Sequence, residues 1–195
     1  MRFEKGHKEN TRKRIIDVAS RRFRRDGASA SGLAGIMAEA GLTNGAFYLH
    51  FESKEVLLRE VLANTLAEKD AKFEHDSHAG RGIEGAIRWY LNKEHLLSSE
   101  DGCPSAALLP EIGRQSKLTR KAYEDGLLSF ISTLARKLPN PGSKDATRRA
   151  MAIFSLMVGT LQIARAVPDA LLAEDILEGG VEAALILAKG GRSRG

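Results

Sequence analysis

Apolar residues along this chain return every three or four positions, the spacing of one face of an α-helix. Ile15, Val18, Ala19 and Phe23 form the first such face, and Leu33, Ile36, Met37 and Ala40 a second, shorter one. No run alternates with the two-residue period of a strand. The predicted fold is all-α. A first helix is expected to open at Asn10 and Thr11, good N-cap residues, and to end at Gly27. A second ends at Gly41. Two residues later a third opens at Thr43 and runs to about 51. Ser53 caps a long helix, and another is expected from about 83 to 98. A short helix headed by Pro104 follows, then helices from about 118 to 138, 144 to 166 and 169 to 189. The tail beyond is expected to be loose.

Charge divides this helical chain in two. Residues 1–26 carry ten basic and four acidic side chains, a local charge of +6, whereas the other 169 residues carry 20 and 21. A basic block beside a nearly neutral body points to an anionic polymer or surface as partner. The expected boundary separates a basic three-helix domain, 1–52, from a larger helical body, 53–195. A single cysteine makes no internal disulfide and no cysteine-based metal site, and no apolar stretch follows the charged N-terminus, so an intracellular, cytoplasmic chain is expected. The longest apolar run, 150–164, is broken by Ser155, Thr160 and Gln162 and is too short to cross a bilayer. No membrane partner is expected.

Two short helices joined by a tight glycine turn make a helix-turn-helix, in which the second helix enters the major groove of DNA. Here that helix reads TNGAFYLHF. Phe47 and Phe51 can face the core with Leu33 and Ile36. Thr43, Asn44, Gly45, Ala46 and Tyr48 then face outward, small or polar groups that let a helix approach base edges. Asn44 can pair with adenine and Ala46 can touch a thymine methyl. Tyr48, His50 and Lys54 can reach phosphates, aided by the hydroxyl of Ser29 or Ser31. One short helix reads too few bases alone. Two, about 34 Å apart, read a palindrome, so a homodimer on double-stranded DNA is expected.

Several fixed spacings occur together over residues 11–62: Phe23 and Gly27, Gly41, then Gly45, Phe47, Tyr48 and Phe51, then Ser53, Lys54 and Glu55. In these the chain resembles the DNA-binding domain of the TetR (tetracycline repressor) family of bacterial transcription regulators. The resemblance implies that the third helix reads an operator and that Tyr48 and Lys54 hold phosphates. Met37 stands where the family commonly has alanine, Asn44 where lysine is frequent, and Leu49 where a polar aromatic is frequent. These departures leave the operator sequence open.

Residues 53–195 resemble the more variable regulatory domain of the same family. That implies a repressor released from its operator by a small-molecule effector, although repression and activation are both open. It also implies a two-fold bundle of the last two helices, for which Ile153, Met157, Leu161, Ile176, Val181 and Leu185 are candidates, with Gly159 allowing close approach. An internal pocket is implied too. Trp89, Tyr90, His95, Cys103, Tyr123, Phe130 and Phe154 are its candidates, and the alternative for each is plain core. With no charged cluster among them, the effector is expected to be apolar or aromatic and at most weakly charged. Cys103, before Pro104 at a helix start, is either an electrophile or oxidant sensor or a small buried hydrophobe.

The other class of reading is a helical ligand carrier or enzyme with an incidental basic end. No catalytic residue, metal ligand set or cofactor is expected. Gly80, Gly82 and Gly85 spell G-x-G-x-x-G without a preceding strand, and His75 and His78 lack further ligands.

Overall fold

The computed structural model describes residues 2–77 and 82–190, and every regular element among them is helical. His78, Gly80 and the tail after Gly190 lie outside the described residues. Helix α1 runs Arg2–Asp26. It begins well before Asn10 and Thr11: Lys8 and Glu9 favour helix, nothing there breaks it, and the two cap residues are carried inside. Helix α2 is Leu33–Glu39. Its end is closed by two reversed hydrogen bonds, Gly41 N–H to the Ala38 carbonyl (3.0 Å) and Leu42 N–H to that of Met37 (2.8 Å). This closure needs a residue in the left-handed region, and Gly41 supplies it with φ 67°.

The expected third helix is a short 3-10 helix, Asn44–Leu49. Helix α3, Lys54–Ser77, follows with Ser53 accepting from Val56 N–H at 3.2 Å. The single helix expected over 83–98 is two, α4 (Gly82–Tyr90) and α5 (Lys93–Leu97). Asn92 breaks it: extended at φ −140°, its side-chain oxygen caps α5 by accepting from His95 N–H at 2.8 Å, and its amide donates to the Trp89 carbonyl at 2.5 Å. Helices α6 (Pro104–Ile112), α7 (Lys117–Ala135), α8 (Lys144–Ala166) and α9 (Ala170–Lys189) complete the chain. Ser143 and Asp169 cap the last two, accepting from Ala146 N–H and from Leu171 and Leu172 N–H.

Packing gathers the chain into two compact units. One holds the chain up to Leu66 together with Glu100–Gly126; the other holds Ala67–Ser99 and the chain from Leu127 onward. The boundary expected at 52/53 does not coincide with a limit of either unit. The core of the first unit is Ile15, Ala19 and Phe23 of α1, Ile36 and Met37 of α2, Phe47, Phe51, and Leu57, Val61 and Leu62 of α3. Leu108 and Ile112 of α6 belong to the same core. In the second unit α8 lies along α9, with α4 against α9 and α5 against α8. Gly180 lets α8 and α9 close: a Cβ there would collide with the Thr160 side chain.

Candidate nucleic-acid interface and regulatory core

The recognition helix is held by one side and shown by the other. Phe47 is fully buried, stacked on Phe51 (centroids 5.6 Å, 26°) and edge-to-face with Tyr48 (5.2 Å). Thr43, Asn44 and Gly45 are exposed, as are Tyr48 (67%) and Leu49 (70%); Ala46 is half-buried. Of the five residues expected to face outward, Thr43, Asn44, Gly45 and Tyr48 do so, whereas Ala46 packs partly against the core and Leu49 is exposed in addition.

The flanking phosphate candidates are placed less uniformly. Ser31 is buried, and its hydroxyl donates to the Gly27 carbonyl at 2.7 Å, so it fastens the α1–α2 turn and is not available to phosphate. Ser29 is exposed, but its N–H and hydroxyl both donate to the Glu111 carboxylate at 2.7 Å. Lys54 is half-buried and donates to the Ser29 carbonyl at 3.3 Å. Burial pulls its ammonium below the ordinary lysine value, against the opposing pull of Glu111. His50 is half-buried, and its Nδ1 has no hydrogen-bond partner among the described residues. Burial, then the charges of Lys8 and Arg12, hold its imidazole below 6.5.

About half of the N-terminal basic block serves the fold. Arg12 grips Glu60 through both terminal nitrogens and lies over the Phe51 ring at 4.3 Å. Lys13 pairs with Asp17, Arg22 with Glu39, and Arg25 with Asp26. Arg24 is buried and donates to the Glu100 carbonyl at 2.7 Å and to the Ser20 hydroxyl. Lys8, Arg14 and Arg21 are exposed and make no ion pair among the described residues.

Five of the pocket candidates assemble in the second unit. Phe130 lies 4.9 Å from Phe154, Tyr90 lies 6.0 Å from Phe154, and His95 sits edge-on to Tyr90 at 4.7 Å. Fully buried Phe73, which the sequence reading missed, joins Phe130 (4.6 Å) to Trp89 (5.5 Å). It stands seven positions after Leu66, two helical turns on the same face of α3, but in a charged stretch that hides the spacing. Cys103 and Tyr123 belong to the other unit. Cys103 is buried, and Tyr123 shares a 3.0 Å hydrogen bond with Ser105. Five of the seven candidates thus share the second unit, and two lie in the first.

His95 has a physical signature of its own. Its Nδ1 is 2.7 Å from the Tyr90 carbonyl, which can only accept, so Nδ1 carries the proton. Burial above all, with the charges of Arg165 and Lys69, pushes the imidazole down to about 4 against the help of that hydrogen bond. The native state therefore resists a proton that the unfolded chain accepts near 6.5. Stability is full above pH 6.5 and falls as pH drops toward 4, by at most about 3 kcal/mol from this group. Asparagine keeps a donor near the Nδ1 position without titrating. His95→Asn is expected to flatten the fall between those limits in urea unfolding at stepped pH; equal acid sensitivity in the two proteins would contradict the assignment.

The bundle candidates divide as well. Ile153, Met157, Leu161 and Val181 are buried within the chain's own core and offer a partner no surface, whereas Ile176 and Leu185 are half-buried. The outward faces carry Met151 and Ile163 (58%) on α8, and Leu172, Ile186 (71%) and Leu187 on α9. Open space lies beyond Gly159. Among the described residues no helix is long and apolar enough to cross a membrane, and no three His, Cys, Asp or Glu side chains group as metal ligands.

Comparison with known proteins agrees with this geometry. Residues 15–61 match the profile of the bacterial regulatory proteins, tetR family. The HTH-type transcriptional regulator TtgR of Pseudomonas putida is 27% identical over 189 residues, covering 87% of each chain. From the same organism, the uncharacterized HTH-type transcriptional regulator TtgW is 34% identical over 92 residues, 47% of this chain and 69% of that protein. A TetR-family regulator from Cytophaga hutchinsonii has the same fold, with TM-score 0.75 at 19% identity over 95% of this chain and 98% of that one. With its all-helical fold and exposed recognition helix, the chain belongs to the tetR family of bacterial regulatory proteins and is a DNA-binding, helix-turn-helix transcriptional regulator.

Proposed function

We propose that the protein is a cytoplasmic homodimeric repressor, not an enzyme, that occupies a palindromic operator and leaves it when a small molecule binds the regulatory domain. Residues 1–52 read DNA and 53–195 sense and dimerise. The observation that carries this reading is the recognition helix, which is anchored by buried Phe47 and turns Thr43, Asn44, Gly45 and Tyr48 to solvent. Asn44 specifies adenine, Ala46 meets a thymine methyl, and Tyr48 and Lys54 grip phosphates. The effector is apolar or aromatic, in keeping with Phe73, Trp89, Tyr90, Phe130 and Phe154 and with a His95 that burial keeps neutral. Repression is relieved because operator and effector weaken each other by the same factor. Met151, Ile163, Leu172 and Ile186, apolar and outward on α8 and α9, support a bundle between two copies.

Selection from random duplexes followed by fluorescence anisotropy tests the DNA assignments. Asn44→Ala is expected to lose about 1–3 kcal/mol of discrimination at one base pair. Tyr48→Phe and Lys54→Ala weaken all sequences alike, and Lys54→Ala lowers the salt slope by about one. An Asn44→Ala protein that selects the wild-type site places the recognition helix wrongly. A wild-type protein that selects no sequence at all removes the operator reading.

A further inference from the structure

We infer that Glu111, on α6, occupies the seat of a DNA backbone phosphate, so that α6 controls how firmly the first unit can grip DNA. The inference rests on the DNA-binding reading above. Glu111 lies 82 residues from Ser29 in sequence, yet its carboxylate takes three donors in the turn between α1 and α2. Ala28 N–H donates to Oε1 at 3.1 Å; Ser29 N–H and the Ser29 hydroxyl each donate to Oε2 at 2.7 Å. Lys54 closes one side, bonded to the Ser29 carbonyl, and its charge favours the ionised carboxyl. The chain fits tightly around this group: a Cβ on Gly27 would come within 2.8 Å of Oε1.

Backbone N–H groups, a hydroxyl and a lysine are the donors with which proteins position DNA phosphates. They stand just before α2 and at the start of α3, on either side of the recognition helix in sequence. A carboxylate and a phosphate cannot hold the same donors at once. Nor does α6 itself account for the placement. Glu111 is in the last turn of α6, where the helix dipole disfavours a negative charge. What the carboxylate gains, it gains from the turn.

The seat is also mechanically tied to α6. Leu108 and Ile112, both buried in the first unit's core, fix the helix beside Glu111. A displacement of α6 by about 1 Å takes hydrogen bonds of 2.7–3.1 Å out of range. With Glu111 docked, the turn is neutralised and closed to DNA. With Glu111 withdrawn, the donors of Ala28 and Ser29 gain a phosphate.

The test is anisotropy across a salt series, on a selected duplex and on an unrelated one. Glu111→Ala is expected to bind both more tightly, by about threefold to tenfold, because the added contact is to the backbone. Its salt slope is expected to steepen by about one. Ser29→Ala in the same chain abolishes most of that gain. Glu52→Gln, an exposed carboxylate two positions from Lys54, controls for charge alone; its smaller gain is expected to ignore Ser29→Ala. Glu111→Gln, which keeps shape and an acceptor, falls between wild type and alanine and covers the case in which the alanine variant folds poorly. Neither Glu111 variant binding more tightly than a DNA-binding wild type overturns the inference. So does a gain that survives Ser29→Ala and equals that of Glu52→Gln. Wild-type binding in the same titration reports separately on the DNA-binding reading.

Discussion

Glutamate at both Ile163 and Ile186 is expected to leave the protein monomeric and off its operator at concentrations where the wild type is bound. Both side chains project from the outer faces of α8 and α9, away from the core that the two helices share. Arg149 of α8 donates to the Ala188 carbonyl, and Gly180 meets Thr160, so the hairpin is antiparallel and the two positions lie toward its opposite ends. A carboxylate buried without a partner at either place opposes association strongly. The same groups in a monomer face water and leave its fold intact. Loss of the second recognition helix removes the gain from engaging two half-sites at once, roughly 100-fold or more in affinity. Sedimentation velocity reads the mass and anisotropy the affinity. A double variant that still sediments as a dimer and holds its operator would mean that these faces are not the interface.

The outer faces of α8 and α9 show where the sequence stops being informative. Apolar residues cover more than half the circumference of α8 and α9. Periodicity says that such a helix is covered on two sides, but not which side the chain itself covers. Ile153 and Met157 have the right spacing for either role, and burial in the chain's own core decides it. The long-range contacts of α6 were hidden for a similar reason. Nothing local to Leu108, Glu111 or Ile112 says that they pack with and bond to the helix-turn-helix unit. Ser31 and Ser29 are two positions apart and chemically alike; only the fold puts one inside on Gly27 and the other outside on Glu111.

Some local signals were legible. The ends at Gly27 and Gly41 and the cap at Ser53 depend on bonds spanning three to five residues, so their signals sit in short stretches of sequence. Asn10 and Thr11 are good cap residues too, yet α1 runs through them. Asn92 carried such a signal too, a good N-cap residue with its partner three positions on. The apolar spacing that runs from 83 to 97 masked it. The inward side of the short 3-10 helix was legible for another reason. Phe47 and Phe51, four apart, declare it, and the small and polar Thr43, Asn44 and Gly45 ahead of them mark an exposed stretch.

Phe47→Ala is expected to remove operator binding by loosening the unit that presents Asn44 and Tyr48. The ring is fully buried, stacked on Phe51 and in edge contact with Tyr48. Deleting it removes about 3–5 kcal/mol, a large share of what a domain of this size has. The 3-10 helix has little else to keep it, since Thr43 makes no side-chain cap and the element is six residues long. Phe51, which stacks on Phe47 and also lies against the Arg12 guanidinium, loses the stacking contact. Phe47 lies in the first unit. Trp89, the only tryptophan of the chain, lies in the second unit, so its fluorescence follows that unit alone, while far-ultraviolet circular dichroism follows both. In denaturant the variant's dichroism is expected to start falling before its fluorescence changes, and its DNA affinity is lost even where Trp89 remains native. Phe47→Leu, which keeps an apolar group in the site, shows a smaller separation. Coincident, unshifted transitions in Phe47→Ala, with wild-type affinity, would mean that the recognition helix is held by contacts other than this ring.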